Sequence, residues 1–260
     1  MAYQTLIVER ADGYAVITLN RPPANTISGE LMQELEAAVA ELEVDAAVRA
    51  VILTGAGDRI FCGGADLGSA FSGGPGADLD AFLRHGHTVL RRIETGPKPY
   101  VAAIQGHATG GGCEIAMACH LRLMKETARI GQTESNLGII PGFGGTQRLP
   151  RLIGRTKALE YLILGTQMPA ADALALGLVN RLAKEGETLN EAKAMARAIA
   201  QRAPVATRLI LRCVDQGLNG PIDQGIEGEV RAFREVLQTE DAAEGIQAFF
   251  AKRPAEFKGR

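Results

Sequence analysis

The sequence predicts an α/β fold in which strand–helix units follow one another and a helical tail closes the chain. Three observations predict it. Short apolar runs, Ala50-Val51-Ile52-Leu53-Thr54 and Tyr100-Val101-Ala102-Ala103-Ile104 among them, have the length of buried strands. A rhythm of strand, glycine and helix recurs three times over the first half, which reads as βα units wound in succession. From Thr146 onward the pattern is nearly all helical. At 260 residues, 46% of them hydrophobic, the chain can hold one large domain, or one with an appendage, around a sizeable core.

Taken in order, residues 4–10 alternate in polarity, meet the turn Ala11-Asp12-Gly13 and lead into 14–19, so the chain opens with a hairpin. After the loop 20–25, Ser28 stands as a helix cap with Glu30 in the first turn. Leu31, Leu35, Val39 and Leu42 then share one helical face. The strand at 50–54 ends in Gly55-Ala56-Gly57-Asp58. A second apolar stretch, Ile60-Phe61-Cys62, runs into Gly63-Gly64-Ala65-Asp66-Leu67. Residues 69–77 are rich in Gly, Ser and Pro and predict a mobile surface loop. A helix is predicted over 78–95 through Leu79, Phe82, Leu83, Leu90 and Ile93, stopped by Gly96-Pro97, with His85 and His87 facing solvent. Short strands are predicted at 121–124, 128–131 and 179–182. Helices are predicted at 156–164, 170–176, 188–202, 204–219, 221–238 and 240–251, punctuated by Gly165, Gly177, Pro204 and Pro221.

Composition excludes several classes of function. A formal net charge of -2 gives no general basic field, so nucleic acid is not the expected partner. Cys62, Cys113, Cys119 and Cys213 show neither CxxC pairing nor metal-ligand spacing, and read as free thiols of a reducing compartment. No signal peptide is visible in Met1-Ala2-Tyr3-Gln4, and no apolar run approaches the ~20 residues of a membrane span. A cytoplasmic protein with no membrane partner and no metal is expected.

The chain is organised around Gly106-His107-Ala108-Thr109-Gly110-Gly111-Gly112-Cys113-Glu114, read as the turn from the strand at 100–104 to a helix. Consecutive glycines cost backbone entropy, and they make sense where the backbone must approach a ligand and aim its N–H groups at it. The N-terminus of the next helix adds unpaired donors and a positive dipole end. Such a turn suits a developing negative charge, as on a thioester oxygen turning into an enolate. No Gly-Lys-Ser/Thr follows, and no Gly-x-Ser-x-Gly is present, so neither a Walker loop nor a nucleophile elbow is involved. Close strand–helix packing is the alternative reason for such a turn. Cys113 at a helix start is placed for thiolate chemistry with His107 or His120 as base, but two glutamates account for the site without it.

Three glycine-bearing turns and two carboxylates stand together: Gly63-Gly64-Ala65-Asp66, Gly110-Gly111-Gly112-Cys113-Glu114, and Glu134 followed by Pro141-Gly142-Phe143-Gly144-Gly145. This ordered set resembles the crotonase superfamily, and most closely the enoyl-CoA hydratases, from Leu19-Asn20-Arg21-Pro22 to Glu256-Phe257-Lys258. The resemblance implies a crotonase-like spiral of ββα units, with a core over 1–200 that holds the site. It also implies a C-terminal helical trimerisation region over 201–260. Trimers of this family usually pair into hexamers. It further implies an acyl thioester of coenzyme A as substrate and no separate cofactor, since the coenzyme A belongs to the substrate.

By motif position the oxyanion hole falls to the N–H groups of Ala65 and Gly111, and the position that helps hold water to Gly142. The substrate-binding positions are Ala24, Gly63, Asp66, Leu67 and Gly110, with Lys252 and Lys258 from the tail. Asp66 is read first as a local hydrogen-bonding group, and alternatively as one that orders the adenine pocket. The catalytic pair is Glu114 as base toward water and Glu134 as acid at C2. Together they would add water in syn fashion to a trans-2-enoyl-CoA, giving 3-hydroxyacyl-CoA in fatty acid or related acyl-CoA degradation, as in β-oxidation. Such a pair titrates as a unit. The chain departs from many relatives by carrying Pro23 and Leu67-Gly68-Ser69 where they have lysines for the nucleotide phosphates, which leaves Arg21, Lys252 or Lys258 as sources of charge. The alternatives are a Δ3,Δ2-enoyl-CoA isomerase, which works with the later glutamate alone, another acyl-CoA enzyme of the fold, or a non-catalytic or RNA-binding relative.

Overall fold

The computed structural model describes residues 3–66, 68 and 79–260. Leu67, the Gly/Ser/Pro-rich stretch 69–77 and the expected helix start at Asp78 lie outside the described residues. Leu6–Ala11 (β1) and Tyr14–Leu19 (β2) form the expected antiparallel hairpin. The helix Gly29–Val44 (α1) follows, and the Ser28 hydroxyl accepts from the Leu31 N–H at 3.2 Å as its cap.

The chain then repeats one unit three times: a strand, a short second strand, and a return through helix. Ala50–Gly55 (β3), Ile60–Cys62 (β4) and Leu79–Thr95 (α2) make the first unit. Tyr100–Ile104 (β5), His107–Thr109 (β6) and Gly111–Ala118 (α3) make the second. Leu121–Lys125 (β7), Arg129–Gly131 (β8), the 3-10 turn Glu134–Leu137 and Gly145–Ile153 (α4) make the third. Next come Arg155–Leu164 (α5), Met168–Pro169 (β9), Ala170–Ala175 (α6), Arg181–Ala183 (β10) and Thr188–Ala200 (α7). The tail is Pro204–Leu218 (α8), Ile222–Val236 (α9) and Glu240–Ala251 (α10).

The first strands of the units join the hairpin and β10 in a six-stranded sheet of order β1-β2-β3-β5-β7-β10, parallel except for the hairpin. The second strands form a four-stranded sheet of order β4-β6-β8-β9, parallel except for β9. The large sheet is covered on both faces, which is why β3 and β5 read as unbroken apolar runs. Ile17, Val51, Leu53, Ala102 and Ile104 enter the main core with α1 and α2, whereas Val16, Ile52, Val101 and Ala103 pack on Ala192 and Ala196 of α7. The crossings between sheets are held by side-chain amides. Gln105 Nε2 donates to the carbonyls of Gly55 (2.9 Å) and Ile60 (3.1 Å), and Asn25 Nδ2 to those of Ala56 and Ile60 (both 3.0 Å).

Four elements differ from the sequence expectation. The glycines at 110–112 do not follow β5 directly: the chain crosses into the second sheet as β6, because three residues suffice for a strand where neighbours already wait on either side. Helix α4 carries Pro150 inside it and is bounded by glycines, punctuation that hides a nine-residue helix. Strand β9 has two residues, too few for any periodicity. The last predicted strand is shifted to Arg181–Ala183.

The tightest joint lies between the sheets and α3. A methyl group placed on Gly112 would land on the backbone carbonyl of Cys62 in β4, far inside contact distance. Gly29, at the start of α1, has open space around the same position. Gly112→Ala is therefore expected to cost ~1–3 kcal/mol of stability through overpacking. Gly29→Ala should be neutral or stabilise by up to ~1 kcal/mol. Urea unfolding of both variants checks the contrast, and equal midpoints would remove the joint at Gly112.

Candidate active site

Strands β4, β6 and β8 run parallel, so their C-terminal ends open on the same edge of the small sheet. Past these ends lie Gly63-Gly64-Ala65, Gly110 through Glu114, and Gln132 through Glu134, the same segments the motifs single out. From these segments Gly63, Gly64, Ala65, Gly110, Gly111, Glu114, Thr133 and Glu134, with Pro141, Gly142 and Phe143, line one cavity of about 710 Å³. The titratable side chains of its described lining are His87, Glu114 and Glu134.

The two backbone donors stand side by side. Ile27 N–H donates to Gly64 O (2.8 Å) and Asp66 N–H to Ile27 O (2.9 Å), which turns the intervening Ala65 N–H away from Ile27. Gly111 opens α3, so its N–H has no acceptor within the helix. A Cβ on Gly111 would lie 3.4 Å from Ala65 N, and one on Gly64 would lie 3.4 Å from Gly111 N. Gly64 (φ +95°) and Gly110 (φ +55°) both adopt the region that favours glycine, and a side chain at Gly110 would press on the Glu134 carboxylate at 3.0 Å.

Glu114 sits on the first turn of α3, 1% exposed. Its Oε1 accepts from the N–H groups of Phe143 (2.8 Å) and Gly145 (2.6 Å). Burial pushes its carboxyl up to about 7. The Gly145 N–H works against this rise, the Glu134 charge adds to it, and the Phe143 N–H and Arg148 oppose it. Glu134, at the start of the 3-10 turn, is also raised by burial, against the pull of its own N–H and that of Thr133. Buried Gln132, its amide nitrogen turned toward that carboxylate, donates to both Glu134 oxygens at 3.1 and 3.0 Å.

A family model described as enoyl-CoA hydratase/isomerase matches residues 9–260. A probable enoyl-CoA hydratase of Bacillus subtilis is 43% identical over 246 residues, 94% of this chain and 95% of that protein. A short-chain-enoyl-CoA hydratase of Clostridium acetobutylicum is 41% identical over 262 aligned positions that cover 100% of both chains. The crystal structure of an enoyl-CoA hydratase from Bacillus anthracis superposes with a TM-score of 0.95 at 38% identity, covering 99% of this chain and 100% of that one. The chain belongs to the enoyl-CoA hydratase/isomerase family. The crotonase fold expected from its motifs is the fold observed.

The family motifs thus bring Gly63, Ala65, Gly110, Gly111, Glu114, Glu134 and Gly142 to one cavity. Of the other expected positions, those among the described residues are not in its described lining. Ala24 lies behind Gly63, whose N–H donates to Ala24 O at 2.8 Å. Asp66 accepts from Arg21 at 2.6 Å, the local role, and Arg21 is thereby engaged, with a further bond to Thr26. Lys252 caps α10 and the Lys258 N–H donates to Asp241, and neither lysine is in the described lining. Leu67 lies outside the described residues.

The structure likewise speaks against the thiolate alternative that the sequence set aside. Cys113 is wholly buried, and burial, with Glu114 and Glu134 adding, raises its thiol well above the ordinary range. His107 and His120 are occupied elsewhere: each Nδ1 accepts a backbone N–H, from Arg129 and Tyr100 respectively, both at 3.0 Å. Burial holds the His120 ring down to about 4. Nor does His85 simply face solvent, since its Nε2 meets Glu36 at 2.9 Å, while His87 is exposed yet reaches the cavity wall.

Sequence reasoning missed Arg148, whose guanidinium grips Glu94 at 3.0 Å and donates to Phe143 O at 2.7 Å, fixing the loop whose N–H groups hold Glu114. A buried arginine on α4 had no signal once α4 itself was hidden. Phe143 was also missed, although one large ring between Gly142 and Gly144 is a visible anomaly.

The raised Glu114 carboxyl makes a signed prediction. The folded protein keeps this proton up to about pH 7, whereas an ordinary glutamate releases it near 4.5. Its contribution to stability is therefore full below about 4.5, falls as pH rises through 7, and is level above. Glu114→Gln should gain stability relative to the parent across that window, by on the order of 3 kcal/mol at pH 8 compared with pH 4.5. Urea unfolding from pH 4.5 to 8 measures it, and a difference independent of pH would show an unperturbed carboxyl.

Proposed function

We propose that the chain is an enoyl-CoA hydratase that adds water reversibly to trans-2-enoyl-CoA thioesters. The observation that carries this reading is the convergence of two unpaired backbone N–H groups, Ala65 and Gly111, with two carboxyl groups, Glu114 and Glu134, in one cavity. The thioester oxygen accepts from the two N–H groups, which stabilise the enolate oxygen as it forms. Glu114 takes a proton from water as its oxygen attacks C3, with the two N–H bonds on Oε1 stabilising the carboxylate and leaving Oε2 to act. Electrons move to the thioester oxygen and return to C2, which takes a proton from Glu134, and the proton taken up by Glu114 then passes to Glu134 through the next water, restoring the pair. Syn addition follows from both carboxyl groups serving one face. No redox change occurs, so the reaction asks for no cofactor beyond the coenzyme A of its substrate. The likeness to proteins named enoyl-CoA hydratase supports the reading.

In this reading Glu114→Gln and Glu134→Gln each lower crotonyl-CoA hydration by ~10²-fold or more. The double variant falls by much less than the product, because both groups act on one water. Loss of conjugated thioester absorbance measures this, with circular dichroism to check folding. If Glu114→Gln hydrates as fast as the parent, the single-acid isomerase reading takes over.

We also propose a homotrimer, or a dimer of trimers. Helices α8 to α10 expose Ile210, Val214, Val230, Phe233 (63%), Phe249 (78%) and Phe250 (78%), an apolar load that a free monomer would leave in water. Leu209, expected on the same face, is instead buried. Among the described residues no helix is long and apolar enough to cross a membrane. The buried thiols of Cys62, Cys113 and Cys119 suit the reducing cytoplasm, where the chain would serve acyl-CoA degradation. Sedimentation equilibrium at micromolar concentration should give three or six times the monomer mass; a monomer refutes the assembly.

A further inference from the structure

Phe143 carries the one large side chain in the glycine cluster 142–145, and it is 2% exposed. Three contacts hold its ring. Gly86 of α2 lies flat beneath it, since any Cβ there would land on ring atoms Cδ1 and Cε1. Phe82, one turn earlier on α2, meets it edge to face with centroids 5.3 Å apart at 75°. On the other side, ring atom Cδ2 would stand 3.3 Å from a Cβ on Gly111, so the ring borders the residue that supplies an oxyanion donor. Its backbone N–H is bonded to Glu114, and its carbonyl to Arg148, so the segment that bears it cannot drift.

A second cavity of about 430 Å³ has Gly144 but not Phe143 in its lining, and its wall is mostly polar and charged, with His87, Glu94, Arg148 and Asp215 among its residues. His87 lines both cavities, while Phe143 lines the first and its neighbour Gly144 the second. The wall between them is therefore the Phe143–Gly144 segment with His87.

We propose that the Phe143 ring, braced by Phe82 and seated on Gly86, closes the acyl end of the substrate cavity and makes the protein selective for short-chain acyl thioesters. This rests on the hydratase reading of the same site. The acyl carbons beyond C3 leave the space between Gly111 and Glu114 and meet the ring. A short tail packs on it; a longer one needs the space that the ring fills. Removing the ring opens the space it fills beside the apolar wall of the substrate cavity and admits the longer tail.

The test compares the parent, Phe143→Ala and Phe82→Ala on crotonyl-, 2-hexenoyl-, 2-octenoyl- and 2-decenoyl-CoA. The parent's kcat/KM should fall along the series. Phe143→Ala should raise the decenoyl-to-crotonyl ratio by ~10-fold or more, the scale on which an apolar pocket discriminates added methylenes. Phe82→Ala, which removes the brace and a smaller part of the same cavity wall but leaves the ring, should raise it less, and it keeps the test open if Phe143→Ala does not fold. A flat series in the parent, or folded variants that run parallel to it, overturns the proposal. Competition by saturated butyryl- to decanoyl-CoA should show the same shift in affinity without any chemistry. A length shift in binding with no hydration by the parent would sink the hydratase reading and keep the gate; hydration with no length shift would do the reverse.

Discussion

The site depends on how closely the start of α3 approaches the end of β4. Because Gly112 has no side chain, the first turn of α3 lies directly on the Cys62 carbonyl, with no room for a methyl group between them. That approach sets the Gly111 N–H beside the Ala65 N–H, although the two residues belong to different ββα units. Neither donor is a side chain that could find another rotamer. Their spacing is a property of the backbone, and the backbone is held by the sheet below and by the Ile27 bridge at the edge. Electrostatic stabilisation of an enolate oxygen requires donors already in place, because reorienting them during reaction would consume the gain.

The same turn carries Glu114 into the interior, where an ionised carboxylate is costly. Two features offset that cost without abolishing it. The N–H groups of Phe143 and Gly145 bind one oxygen, and Arg148 lies near enough to favour the charge. Burial and the nearby Glu134 still win, and the carboxyl ends near neutrality, where it can both hold and release a proton. Arg148 serves twice, since its bond to the Phe143 carbonyl also fixes the loop that supplies those N–H groups, while its own charge is paired by Glu94.

Most of this was legible in the sequence, in proportion to how local each feature is. The strands of the large sheet, α1 with its Ser28 cap and the tail helices are written in apolar periodicity and in Gly and Pro punctuation. The glutamates and glycines that meet at the cavity were legible because each sits at a turn that a family motif marks. Short strands that exist only by pairing, β6 and β9, leave no periodic trace. Helix α4, masked by Pro150, took Arg148 out of view with it. The fates of Arg21 and the tail lysines were also illegible. Whether Arg21 faces a phosphate or Asp66 depends on a partner 45 positions away, which no local pattern encodes.

The two sheets divide the labour of the fold. The six-stranded sheet is buried on both faces, by α1 and α2 on one side and α7 on the other, so its side chains are committed to packing. The four-stranded sheet contributes strands of only two or three residues, and its value lies in where they stop. Three parallel strands that end together release three loops at one edge, and each loop delivers a different part: an N–H donor, a donor with a carboxyl group, and a second carboxyl group. Long strands would add stability there but carry the loops apart as the sheet twists. Keeping the small sheet short, and anchoring its crossings through Gln105 and Asn25 to the larger sheet, lets the stable layer position the loops that line the cavity.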